Sequence, residues 1–195
     1  MSFTISRRAV IGGGLALAAP GMAWADAAAP VDVVVTPSRV AQVGSLRFRC
    51  AVGRGGIAAV KREGDGVTPA GAWALREVFY RADRVAAPVT GLPLRALKPN
   101  DGWCDAPADP NYNRPVRLPY PASAEALWRS DSVYDIIVVA GYNDAPVVPG
   151  KGSAIFLHCA RSRYQPTAGC VAFAKGDLLK ILAMVDSRSR LDVRP

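Results

Sequence analysis

His158 is the single histidine of the chain, and Cys50, Cys104, Cys159 and Cys170 are its four cysteines. Nucleophilic or metal chemistry must be built from these. No two cysteines stand three apart, so the Cys-x-x-Cys spacing of redox and zinc sites is absent. A zinc site would need His158, Cys159 and Cys170 plus a carboxylate. Neighbouring strand residues point to opposite faces, so one ion does not take both His158 and Cys159. No Ser-x-x-Lys or Gly-x-Ser-x-Gly segment supplies a serine nucleophile. A Cys–His pair is left, and it requires neither metal nor cofactor.

Ile155, Leu157 and Cys159 alternate onto one strand face, and Phe156 and His158 share the other. Thr167-Ala168-Gly169-Cys170-Val171 follows, with a cysteine directly after a glycine where a turn enters the next strand. Gly169 permits a tight turn that brings Cys170 beside His158 and aims nearby amide N–H groups at a reacting carbonyl oxygen. A free thiol is a few per cent thiolate at neutral pH, and lowering its pKa by roughly 1.5, about 2 kcal/mol, would make most of it reactive. The pattern by itself also fits a core histidine and a structural thiol.

Short strands must position this pair. Val31 to Val35 is a β-branched run, Leu46 to Cys50 alternates apolar and charged residues, and Ile57 to Val60 is a further short strand. Gly64 to Gly71 carries strong turn chemistry, and Ala72 to Tyr80 reads as a strand. Residues 86–121 are rich in proline and polar residues, a long excursion of the kind that usually serves function. Tyr134 to Ala140 and Ala154 to Cys159 read as buried strands. Leu178, Leu179, Ile181, Leu182 and Val185 follow helical spacing with Asp177 as the N-cap, and Ser189 to Val193 closes the sheet. The expectation is a mainly β sandwich or barrel with one helix packed on it near the C-terminus.

Composition agrees: half of the 195 residues are hydrophobic, and 18 glycines and 16 prolines favour turns over a helix bundle. No apolar run is long enough to span a bilayer. Residues 1–25 resemble a cleaved twin-arginine export signal, with Ser6-Arg7-Arg8, a mild apolar run and Ala23-Trp24-Ala25; a general secretory peptide is the other reading. Residues 26–195 are then a single exported domain. Arg7 and Arg8 are the leader's only charges, so without it the formal net charge of +8 falls by two and stays basic. The basic residues are scattered, so the expected partner is an anionic cell-envelope polymer rather than nucleic acid.

The stretch from Ser153 to Leu182, with His158 on a strand and Thr167-Ala168-Gly169-Cys170 before the next, resembles the L,D-transpeptidase catalytic domain (YkuD-like). Lys61-Arg62-Glu63-Gly64-Asp65-Gly66-Val67-Thr68-Pro69-Ala70-Gly71 resembles that family's Thr-Pro-x-Gly segment, and the likeness covers roughly residues 31–193. The resemblance implies a periplasmic, monomeric acyltransferase acting on peptidoglycan stem peptides. Cys170 would be the nucleophile and His158 the base. The Cys159 carbonyl would orient the imidazole, and amides at Gly169 and Cys170 would form the oxyanion hole. Arg161, Arg163, Arg114 and Thr167 are candidates for substrate binding.

Ala168 stands where the family usually has histidine, which points to an atypical donor preference, with cross-links through the first stem position as one form. An L,D-carboxypeptidase or amidase, passing the same thioester to water, and a non-catalytic wall-binding module are the alternatives. With Cys170 needed as a free thiol and Cys159 directed into the core, Cys50 and Cys104 are the pair expected to form a disulfide.

Overall fold

The computed structural model describes Met1 and residues 29–195, so the expected leader lies outside the described residues. The strands are β1 (Val33–Val35), β2 (Val40–Val43), β3 (Leu46–Ala51), β4 (Ile57–Ala58), β5 (Thr68–Pro69), β6 (Gly71–Tyr80) and β7 (Leu94–Ala96). They continue as β8 (Asp101–Cys104), β9 (Pro115–Arg117), β10 (Ala124–Ala126), β11 (Ile136–Ala140), β12 (Phe156–Cys159), β13 (Val171–Phe173) and β14 (Arg190–Val193), with helix α1 at Lys175–Leu182.

Eight strands close on themselves in the order β11-β12-β13-β3-β2-β1-β14-β6, with β6 pairing back onto β11. Closure is visible on β6. The Ala74 carbonyl accepts from Gly141 N–H on one edge, while Leu75 N–H donates to Ser189 O on the other. Closing the sheet leaves these strands no free edge. β7 extends β6 in parallel, and β10-β8-β9 form a separate three-stranded sheet.

Period-two alternation on β11 and β12 makes them a wall between two apolar clusters. Ile136, Val138, Leu157 and Cys159 face the barrel interior with Val33, Phe173 and Leu191. Ile137, Val139 and Phe156 face outward into a second cluster with Phe79, Trp103, Leu127, Tyr134 and Cys170. Each fully buried Leu or Phe contributes roughly 1.5–3 kcal/mol, so both faces of the wall stabilise its register. α1 adds Leu178, Ile181 and Leu182 to the barrel core. Among the described residues no helix is long and apolar enough to cross a membrane.

Several expectations change. α1 begins at Lys175 with Ala174 as N-cap, and Asp177 sits inside the first turn, where its carboxylate meets the positive end of the helix dipole. The excursion is ordered: it contains β7, β8 and β9. Asp101 anchors these strands by pairing with both Arg95 and Arg117. The expected Cys50–Cys104 disulfide is not made; all four cysteines are free and buried. Cys50 lies on β3 of the barrel opposite Phe173, whereas Cys104 lies on β8 of the small sheet opposite Ala124. The two thiols belong to different sheets, and a disulfide needs its Cα atoms within about 7 Å.

Candidate active site

β12 and β13 run parallel with Leu157 opposite Val171 and His158 opposite Ala172. That register sets Cys170, one residue ahead of β13, across from Phe156 and on the same face as His158. Two residues along a strand and one strand across put the two Cα atoms roughly 8 Å apart. No hydrogen bond joins the two side chains; each is held by backbone.

His158 is buried, and its Nδ1–H donates to the Cys159 carbonyl at 3.0 Å, which leaves Nε2 with the lone pair. Tyr134 packs edge-on against the imidazole with ring centres 5.4 Å apart, and it also touches Phe156. Burial pulls the His158 pKa down to about 4; the Cys159 bond opposes this, and Arg161 and Arg129 reinforce it. The imidazole is therefore neutral at rest.

The Cys170 thiol donates to Ala154 O at 3.2 Å and accepts from Phe156 N–H at 3.3 Å. Burial pushes its pKa up to about 12; the Phe156 amide and Lys61 oppose the rise, and Glu125 adds to it. Cys170 therefore rests as a thiol and not as a thiolate. A carbonyl acceptor and a dry wall favour the protonated form.

The turn ahead of Cys170 is braced from below. Thr167 Oγ1 donates to Cys170 O at 2.6 Å and accepts Gly169 N–H at 3.1 Å. The Gly169 amide is thus spent within the turn, and the Cys170 amide, which has no protein acceptor among the described residues, is the donor left for an oxyanion. Gly169 has φ 139°, and a Cβ there would sit 2.8 Å from Val67 O. Gly53 packs against the same floor, where a Cβ would come within 3.0 Å of Gly169 Cα. Thr68 Oγ1 accepts Gly53 N–H at 2.8 Å, so the Gly64–Gly71 segment supports the turn ahead of Cys170.

Cys170 opens onto a cleft of about 370 Å³ lined also by Lys61, Glu63, Asp105, Glu125, Tyr134 and Arg161. Of the four substrate-binding candidates, Arg161 lines this cleft. Thr167 is buried and occupied in the turn. Arg163 is exposed on the short 3-10 turn Ser162–Tyr164 and does not line the cleft. Arg114 lines a different cavity of about 160 Å³ and donates to Asp144 O at 2.7 Å. Its neighbour Asn113 is a buried brace: Oδ1 accepts from Trp103 Nε1 and Ala154 N–H, and Nδ2 donates to Tyr142 O and Asn143 O. Asn113 thereby fixes Ala154, whose carbonyl holds the thiol.

Four residues of the site escaped the sequence reading: Lys61, Tyr134, Glu125 and Ala154. Tyr134 donates to Glu125 Oε1 at 2.8 Å, so the ring that covers His158 is itself tied down. A tyrosine at a strand start and a lysine inside a turn segment carry no local mark of this; only the position of Ala154, just before a buried strand ending in His158, gave any signal.

The L,D-transpeptidase catalytic domain family model matches residues 32–193. Among solved structures, an L,D-transpeptidase from Mycobacterium smegmatis is similar at 11% identity and a TM-score of 0.41, covering 85% of this chain and 59% of its own. No curated protein matches the chain.

Proposed function

This chain belongs to the L,D-transpeptidase catalytic domain family, and from that premise we propose that it is a peptidoglycan acyltransferase working through a Cys170 thioester. The observation that carries the reading is that Cys170, which lines an open cleft, shares its strand face with the buried His158. A stem-peptide carbonyl entering the cleft is attacked by Cys170 Sγ while the S–H proton passes to His158 Nε2. The Cys159 carbonyl, bound to Nδ1–H, holds the imidazole in the tautomer that can accept it. The Cys170 amide faces the developing oxyanion. Collapse expels the leaving amine, which takes the proton from His158; a second stem amine then attacks the thioester, its C–N bond replacing the C–S bond, and its proton returns through His158 to Cys170 Sγ.

Two finer points belong to the same proposal. Ala168 lines the cleft as a small apolar group, and donor choice is read as departing from the usual third-position exchange, with linkage through the first stem position. The twin-arginine-like leader supports work in the periplasm. The test is incubation of the full chain with purified stem-peptide fragments, followed by intact-mass and tandem mass analysis. An acyl adduct on Cys170 and cross-linked dimers are expected. Shortened stems without dimers would make the protein a hydrolase, and no adduct would overturn the acyltransferase reading.

A further inference from the structure

Lys61 is built into the wall of the cleft. Its side chain is 3% exposed, an unusual place for an ammonium. It lies against Gly152 (φ 114°) and Gly169 (φ 139°): a Cβ on the first would stand 2.8 Å from Lys61 Cε, and one on the second 3.5 Å from Nζ. Nζ donates to Asp65 Oδ1 at 2.8 Å and to Arg62 O at 3.2 Å. Asp65 is itself fixed by Arg62 N–H at 2.6 Å and Val67 N–H at 2.9 Å. An ammonium has three donors, so one N–H has no protein acceptor among the described residues. The ammonium therefore stands beside the residue that precedes the nucleophile, on the cleft that Cys170 lines, with a donor unspent.

Glu125 from β10, Tyr134 ahead of β11 and Arg161 from the loop after β12 line the cleft with Cys170, as do Glu63 and Asp105, and the buried His158 of β12 lies on the same strand face as Cys170. Glu125 opposes negative charge on the sulfur, and Arg161 lies near Glu125. Lys61 is the cation placed next to the Gly169–Cys170 turn.

Resting on the reading of Cys170 as the nucleophile, we propose that Lys61 is the fixed positive charge against which the acylation step develops its negative charge, first on Cys170 Sγ and then on the carbonyl oxygen. The S–H proton goes to His158 Nε2, the sulfur pair forms the S–C bond, and the carbonyl π pair moves onto oxygen. Breakdown returns that pair and expels the amine with the His158 proton. Lys61 keeps its three protons throughout and acts by proximity in a site where charge is poorly screened.

The experiment compares wild type, Lys61→Met and Lys61→Arg in the full chain, following Cys170 alkylation by iodoacetamide from about pH 6 to about pH 11 with peptide mass mapping. Lys61→Met should slow alkylation on the order of 10-fold throughout this range, all of which lies below the thiol's midpoint, and Lys61→Arg should restore most of the rate. With a stem-peptide donor, kcat should fall about 30-fold in Lys61→Met while KM changes less than about twofold. Wild-type alkylation in Lys61→Met, or a raised KM at unchanged kcat, would overturn the proposal and make Lys61 a packing or substrate-binding residue.

Should Lys61→Met not fold, Asp65→Asn reads the same charge from the other side. It removes the opposing carboxylate, so faster alkylation supports the proposal and an unchanged or slower rate overturns it. Alkylation needs no peptidoglycan. A missing acyl-enzyme in wild type would therefore sink the acyltransferase reading without deciding the Lys61 comparison.

Discussion

Cys159 ends β12 and Cys170 stands just ahead of the neighbouring β13; they are 2% and 8% exposed and face two different regions of the molecule. Cys159 points into the barrel with Ile136, Leu157 and Phe173. Cys170 points the other way, onto the cleft, with His158 on its own face. Burial raises both thiols, Cys159 to about 11 and Cys170 to about 12. Neither is a thiolate at rest, so a low resting pKa does not distinguish a nucleophile from a structural cysteine here. What differs is access to a cleft and a histidine on the same strand face. The inner face is a closed apolar core, and the outer face is equally dry but bounded by groups that can take up a proton or oppose a charge.

The largest effect expected from breaking this contrast is at the thiols themselves. Cys170→Ala should abolish acyl-enzyme formation and leave the melting temperature within a few degrees of wild type. Cys159→Ala should retain turnover and lose about 1 kcal/mol of stability from the barrel core. Mass analysis of the adduct and thermal melts separate the two, and an active Cys170→Ala enzyme would erase the distinction.

His158→Gln should lower kcat by roughly 10²–10⁴-fold, the range for loss of a positioned base. It should not destabilise the fold at neutral pH by more than about 2 kcal/mol, because the Cys159 carbonyl keeps a donor in reach. Steady-state kinetics beside denaturant unfolding tests both halves.

Gly169→Ala forces a Cβ against Val67 O at a φ of 139°. A displaced turn should cost on the order of 100-fold in kcat and about 1–3 kcal/mol in stability. The matching change on the inner side of the wall, Val171→Ala in the barrel core, should cost stability without a comparable loss of rate, measured by the same pair of assays.

The smallest effect is the pH dependence of folding. His158 has a folded pKa of about 4 against an ordinary 6.5, so the unfolded chain binds the extra proton between these values. The stabilisation is complete above about pH 7 and is lost as pH falls toward about 4, amounting to roughly 2 kcal/mol at pH 5. Urea titrations at a series of pH values should show this slope in wild type and a flatter one in His158→Gln. Parallel slopes would mean that the imidazole is not held neutral.

The chemistry of the outer face was readable because it rests on local rules. Side-chain alternation on a strand put Ile155, Leu157 and Cys159 on one side and His158 on the other. A glycine directly before Cys170 marked a turn that L side chains rarely adopt. The hydrophobic runs at 46–50, 72–80 and 134–140 likewise reported most of the barrel. The strands of the excursion were not readable, because β7, β8 and β9 are three or four residues each. Strands so short carry no periodicity, and here distant partners such as the Arg95–Asp101–Arg117 ion pairs hold them.

From its sequence alone this protein is determined to be a mainly β chain with one histidine, one glycine-preceded cysteine and a turn-rich segment resembling the support of an acyl-transfer site, since periodicity and turn propensity are properties of neighbouring residues. Tertiary structure decided which thiols can meet, which arginine reaches the cleft, and how the proton is held at rest. It separated Cys50 from Cys104, tied Arg114 to the Asp144 carbonyl, spent the Gly169 amide on Thr167, and brought Lys61, Tyr134 and Glu125 into one cleft with Cys170. Distance, burial and unspent hydrogen-bonding capacity arise only when segments far apart in the chain are packed together.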